Sequence, residues 1–234
     1  MDSPKPPSPP PANDLELLHS LRRLVRGLSA LFWGVPLALL TCVQSVLTDW
    51  LVPLGAIPPL IATGLLLLGT TEIGWFRPGE RVWQTILERV KMLALINVGL
   101  SPFIYFWSRF PNEIYYQQMV WGIGVIGVLF LYNLNRALKC LANMLPDQTL
   151  REDTDLFTGM NLGLIAMLVL LTAAYFGLDH INTLPQIVIQ FLEVIEQHHR
   201  WMLIFLILLP VSMTMSLLWK IKELVLAGLF GGYR

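Results

Sequence analysis

The chain has 234 residues, 55% of them hydrophobic and only 14% charged, with a mean hydropathy of +0.60. About a quarter of the residues in a soluble domain are charged, so this composition excludes an ordinary soluble enzyme. The formal net charge is zero, 16 Lys and Arg against 16 Asp and Glu, and the basic residues form short clusters rather than the face or stripe that binds nucleic acid.

Residues 1–13 are dominated by Pro4, Pro6, Pro7, Pro9, Pro10 and Pro11. Proline removes donors and fixes φ, so this segment is expected to be a disordered, partly polyproline-II tail. Asp14 is placed to cap a helix whose apolar stripe is Leu15, Leu18, Leu21 and Val25, with Arg22, Arg23 and Arg26 on its polar side. That pattern predicts an interfacial helix leading into a first membrane span at Gly27–Thr48. No small-x-small cleavage site follows the first apolar run, so it reads as an uncleaved anchor. Ala30, Gly34 and Ala38 form a row of small residues in it, the kind that lets a second helix approach closely.

Five more apolar stretches follow: Leu51–Thr71, Met92–Ser108, Ile114–Asn135, Leu156–Leu178 and Trp201–Trp219. A helix needs roughly 20 residues to cross about 30 Å of hydrocarbon, and each stretch is near that length. A second amphipathic approach, residues 80–91, precedes the third span, and a more acidic one, Thr149–Asp155, precedes the fifth. Gly159 and Gly163 make another small-residue row in the fifth span. The letters G-x-G-x-x-G at Gly122, Gly124 and Gly127 are not a dinucleotide site: they fall inside an apolar span, with no strand before them. Pro36, Pro58, Pro59, Pro102 and Pro210 are expected to kink or break their helices.

The charges sort by side. Lys5, Arg22, Arg23 and Arg26 precede span one. Arg77, Arg81, Arg89 and Lys91 lie between two and three. Arg136, Lys139 and Arg151 lie between four and five, and Lys220, Lys222 and Arg234 follow six. Only Arg109 and Arg200 fall on the other side. The positive-inside rule then places both termini in the cytoplasm of a plasma-membrane protein. Trp50, Trp107, Trp121 and Trp201 fall at the outer interface and Trp75, Trp83 and Trp219 at the inner one, an independent support for the same frame. Under it Cys42 and Cys140 lie too far apart for a disulfide.

Gly34, Gly99 and Gly163 open spans one, three and five at intervals of 65 and 64 residues. The chain therefore reads as three helical hairpins in one orientation. The third carries an insert, in which Leu184, Ile187, Val188, Phe191, Leu192 and Ile195 oppose Gln186, Gln190, Glu193 and Gln197. Residues 181–199 are expected to lie on the outer surface as an amphipathic helix.

No Asp, Glu, Lys, Arg or His lies deep inside any span, which argues against a proton relay or an ion-coupled carrier. Glu72 stands at the edge of span two, where Arg77 or Arg136 could pair with it. Asn97, Asn133, Asn135 and Asn161 read as buried amides bonding between helices. His180, Glu196 and His199 are the candidate metal ligands: Glu196-x-x-His199 has the i, i+3 spacing of half a di-iron site, but the loop lacks the carboxylates to complete one. No cofactor is expected, and no catalytic motif is present.

The expected fold is all-α: a polytopic membrane protein of six transmembrane helices in three hairpins, with interfacial amphipathic helices, 14–234 forming one domain. Its expected partners are the lipid bilayer and a membrane-protein partner or a second copy, with no nucleic acid. Two functions fit: a non-enzymatic subunit or assembly and scaffold factor of a membrane complex, or a channel or transporter for an uncharged solute.

Overall fold

The computed structural model describes residues 12–47, 52–76, 79–145, 148–178 and 207–227. Among them there is no strand. The helices are α1 (Ala12–Leu47), α2 (Ile57–Ile73), α3 (Arg81–Leu100), α4 (Pro102–Arg109), α5 (Ile114–Asn143) and α6 (Gln148–Leu178), with a further helix, α7, over 207–227. Most of the proline-rich tail, and the 181–199 segment with its expected surface helix, lie outside the described residues.

Among the described residues, four helical stretches are long and apolar enough to cross a membrane: His19–Val43, Arg81–Arg109, Ile114–Asn143 and Arg151–Leu170. The expected second span is shorter than the hydropathy pattern indicated. A 3-10 turn at Val52–Leu54 and Gly55, whose φ of +61° favours a residue without Cβ, precede it. Pro58 and Pro59 then occupy the first turn of α2, where their missing N–H groups cost nothing. The helix therefore starts at Ile57 and has 17 residues, about 25 Å of rise. Only part of the expected sixth span is described, as α7.

Two prolines behave differently from one another. Pro36 lies inside α1, which runs unbroken for 36 residues and joins the interfacial approach and the first span into one helix. Pro102 separates α3 from α4. Its ring removes the N–H that Val98 O would accept, and the Ser101 hydroxyl donates to that carbonyl instead, at 2.9 Å. Ser101 keeps helical dihedrals, so the second amphipathic approach, the third span and α4 form a nearly continuous run.

α1 and α2 pack antiparallel. A Cβ at Gly27 would lie 2.8 Å from Gly69 O and 2.9 Å from Ile73 N, and one at Gly34 would lie 2.9 Å from Leu66 Cδ2. The two backbones touch at Gly27 and Gly69 because neither glycine carries a side chain. Leu24, Leu28, Leu31 and Val35, on the same stripe of α1, are buried beside this contact. The core continues through Ile73, Phe76, Trp83, Leu87 and Val90 to Leu134, Leu138 and Leu141 on α5 and Leu217, Leu218 and Ile221 on α7. Trp83, 1% exposed, donates its indole N–H to Phe76 O at 3.0 Å, which pins α3 against the turn after α2.

The buried residues of this core include Leu24 and Leu28 of α1, Ile73 of α2, Trp83 and Leu87 of α3, Leu138 and Leu141 of α5 and Ile221 of α7, so it extends toward the end that carries Arg22, Arg23, Arg26, Arg81, Arg89, Lys139 and Lys220. Around it the surface is apolar: Trp33, Ile61, Leu68, Met92, Leu95, Val125 and Leu170 all face outward. Exposure on this scale is an aggregation hazard in water and is what a helix needs against lipid. The fold is that of an all-helical, membrane-embedded protein.

Candidate functional site

α5 and α6 run antiparallel, which brings Asn135 of α5 level with Asn161 of α6. α7 runs antiparallel to α6 and sets Pro210 and Thr214 at the same height. Asn135 Nδ2 donates to Leu131 O on its own helix at 2.8 Å and to Thr214 Oγ1 at 3.0 Å. Asn161 Nδ2 donates to Asn135 Oδ1 and to Thr214 Oγ1, both at 2.9 Å, with Pro210 O at 3.2 Å as a third, longer partner. The Thr214 hydroxyl donates to Pro210 O at 2.8 Å. Asn135, Asn161 and Thr214 are each fully buried.

Counting donors and acceptors shows how closed the network is. Thr214 Oγ1 gives one proton and receives two, its full capacity, and both amide NH₂ groups are used. Turning the Asn161 amide over would set two oxygens face to face at Asn135. Its orientation is therefore fixed, and its Oδ1 is left with no partner. Thr154 Oγ1 and Thr158 Oγ1 are also buried without a partner, at 1% residue exposure. Thr154, Thr158 and Asn161 recur at i, i+4 and i+7, so all three lie on one stripe of α6, about 10 Å long. A buried polar group without a hydrogen bond costs about 1–3 kcal/mol, so three on one stripe mark the least satisfied place in the described core.

The stripe ends among exposed ion pairs. Lys220 Nζ lies 2.9 Å from Asp153 Oδ2 and Lys139 Nζ lies 3.1 Å from Asp155 Oδ1, with side-chain exposures of 39–57%. Lys220 also sits over the Phe157 ring at 4.9 Å. These are the two ion pairs among the described residues, and Glu72 belongs to neither; Arg77 lies outside those residues.

Of the four asparagines singled out from the sequence, Asn135 and Asn161 meet. Asn133 bonds Leu129 O of its own helix, and Asn97 is buried on α3 outside the network. Thr214 and the Pro210 carbonyl, four residues apart, and the Thr154–Thr158 pair escaped the sequence reading. The available signal was the polar period on an apolar helix. Of the small-residue rows, Gly34 meets Leu66, and Ala30 and Ala38 are half-buried on α1. A Cβ at Gly159 or Gly163 meets nothing within 4 Å among the described residues, and Gly34 and Gly163 are not brought together. His180, Glu196 and His199 lie outside the described residues, among which no three His, Cys, Asp or Glu side chains cluster. Cys42 and Cys140 are free thiols.

Compared with protein families, curated proteins and solved structures, the chain matches none.

Proposed function

We propose that the chain is a non-enzymatic subunit or assembly factor of a membrane complex. In this reading it crosses the plasma membrane six times as three hairpins and keeps both termini in the cytoplasm. The observation that carries the reading is the glycine-rich stretch of α5. Almost none of its apolar stretch is buried within the described chain. Val125, Leu129 and Tyr132 face outward, and a Cβ at Gly122, Gly124 or Gly127 meets nothing within 4 Å among the described residues. Where glycines are used inside this chain, at Gly27 and Gly69, they let two helix backbones touch. An open glycine-rich face offers the same close approach to a helix from outside.

Purification in mild detergent, with mass spectrometry of what co-elutes, tests this. A stoichiometric membrane-protein partner, lost in Gly124→Leu, is expected. A chain that runs alone, unchanged by Gly124→Leu, refutes the reading. A second reading, passage of an uncharged solute, is favoured by the neutral polar groups between α5, α6 and α7. A pure homo-oligomer that makes liposomes permeable would replace the first reading with this one. Orientation has its own test: a single cysteine at position 147 should be labelled only once the cytoplasmic face is opened, and labelling from outside intact cells would reverse the topology.

A further inference from the structure

Hydroxyls on the helices of this chain are mostly spent on their own backbone. Thr63 donates to Pro59 O, Thr70 to Leu67 O, Thr71 to Leu68 O, Thr85 to Arg81 O and Thr214 to Pro210 O, at 2.8–2.9 Å. This back-bond is the ordinary way to hide a hydroxyl in an apolar helix. Thr154 and Thr158 do not make it, although both are only 1% exposed. Their oxygens share one stripe with Asn161 Oδ1, which the saturated amide network leaves over. Two independent causes, an unused back-bond and an exhausted set of donors, thus put three unsatisfied oxygens in line.

We propose that this stripe of α6 is a hydration site, filled by water that enters at the Asp153–Lys220 end and reaches Asn161. The chemistry selects the occupant. Asn161 Oδ1 only accepts, so the occupant must donate. The threonine hydroxyls can donate and accept, so a ligand doing both completes all three. No ionised side chain lies on α6 between Asp155 and Asn161, and Lys220, which leans over the Phe157 ring, is already paired with Asp153, so an ion would find no unpaired countercharge there. Water is the small, neutral group that meets these demands. The entrance is weakly held. Thr154 lies between Asp153 and Asp155, whose ion pairs are half-exposed and therefore contribute little to closing the seam. In the closed arrangement the three oxygens have no exposed surface, so water reaches them as α6 and α7 part at this end, below the amide clasp.

The sign of a stability change decides the matter. Valine has the shape of threonine without its hydroxyl. In a dry seam, Thr154→Val and Thr158→Val remove an unpaired polar atom and raise the melting temperature. In a hydrated seam they remove bonds to water and lower it, and the double variant falls further. The second measurement uses full-length protein in liposomes, with Cys42→Ser and Cys140→Ser, and a small water-soluble methanethiosulfonate on both faces. The thiolate that reacts forms readily only in contact with water, so Thr158→Cys should be modified at least about tenfold faster than Leu138→Cys, a fully buried apolar site on α5. Should Thr158→Cys fail to fold, Thr154→Cys takes its place. A rise in melting temperature in both valine variants overturns the proposal, and so does a cysteine on the stripe as inert as the one at 138.

Discussion

Two contacts hold this chain's helices together by opposite means. α1 and α2 meet through absence: Gly27 and Gly69 have no side chains, so backbone lies against backbone and dispersion is gained along Leu24, Leu28, Leu31 and Leu66. α5, α6 and α7 meet through presence: two amides and a hydroxyl reach into the seam and bond one another. In lipid neither contact draws on a hydrophobic effect between helices, since the alternative surroundings are equally apolar. The first therefore depends on fit and tolerates no added volume. The second depends on complete hydrogen bonding, and it is the incomplete one.

That contrast can be broken from either side. The largest effect is expected where an added atom meets backbone. Gly69→Leu puts a Cβ within 3.0 Å of Gly27 O and 2.7 Å of Leu31 Cγ, and should cost on the order of 1–3 kcal/mol or more by overpacking. Thermal unfolding in detergent reads this. Gly163→Leu, which meets nothing among the described residues, should stay within about 0.5 kcal/mol of the parent. Equal losses in the two would show that fit at α1–α2 is not the cause.

Next comes the polar clasp. Asn161→Leu and Asn135→Leu should each lose about 1–2 kcal/mol, in the range of hydrogen bonds between membrane helices. The double variant should lose clearly less than the sum, because the first substitution already empties the network. Strict additivity would mean that the two amides act separately.

Smaller again is Trp83→Phe, which keeps most of the apolar volume and deletes the donor to Phe76 O. A loss of about 1 kcal/mol is expected, and a loss near zero would mean that burial alone holds the turn after α2. Smallest is Lys220→Met. Its partner Asp153 is more than half-exposed, so the change should lie between about 0 and 1 kcal/mol and shrink further at high salt. A loss as large as that of Asn161→Leu would make the entrance, rather than the amide clasp, the fastening of the seam.

Hydropathy and charge order alone determined that the chain is helical, apolar on its outside and assigned a basic end. These are properties of single segments, and the cost of burying a charge or of leaving a backbone group unbonded in hydrocarbon acts on each segment alone. They marked five prolines alike, of which Pro102 divides two helices and Pro36 lies inside one, and four asparagines alike, of which Asn135 and Asn161 meet. The length of α2 was less legible, because its start was set by Gly55 and two prolines inside a run that hydropathy scores as uniformly apolar. Which glycines matter was not legible: Gly34 and Gly163 look alike in the sequence, yet one meets Leu66 and the other meets nothing among the described residues. Gly27 and Gly69 come closest to backbone of the partner helix, and neither stood in a row that marked it. The polar seam was the least visible of all. Asn135, Asn161 and Thr214 are separated by 26 and 53 residues, and only the antiparallel setting of α5, α6 and α7 makes them neighbours. A hydrogen bond between helices depends on register and rotation about each axis, and both are decided when the helices pack.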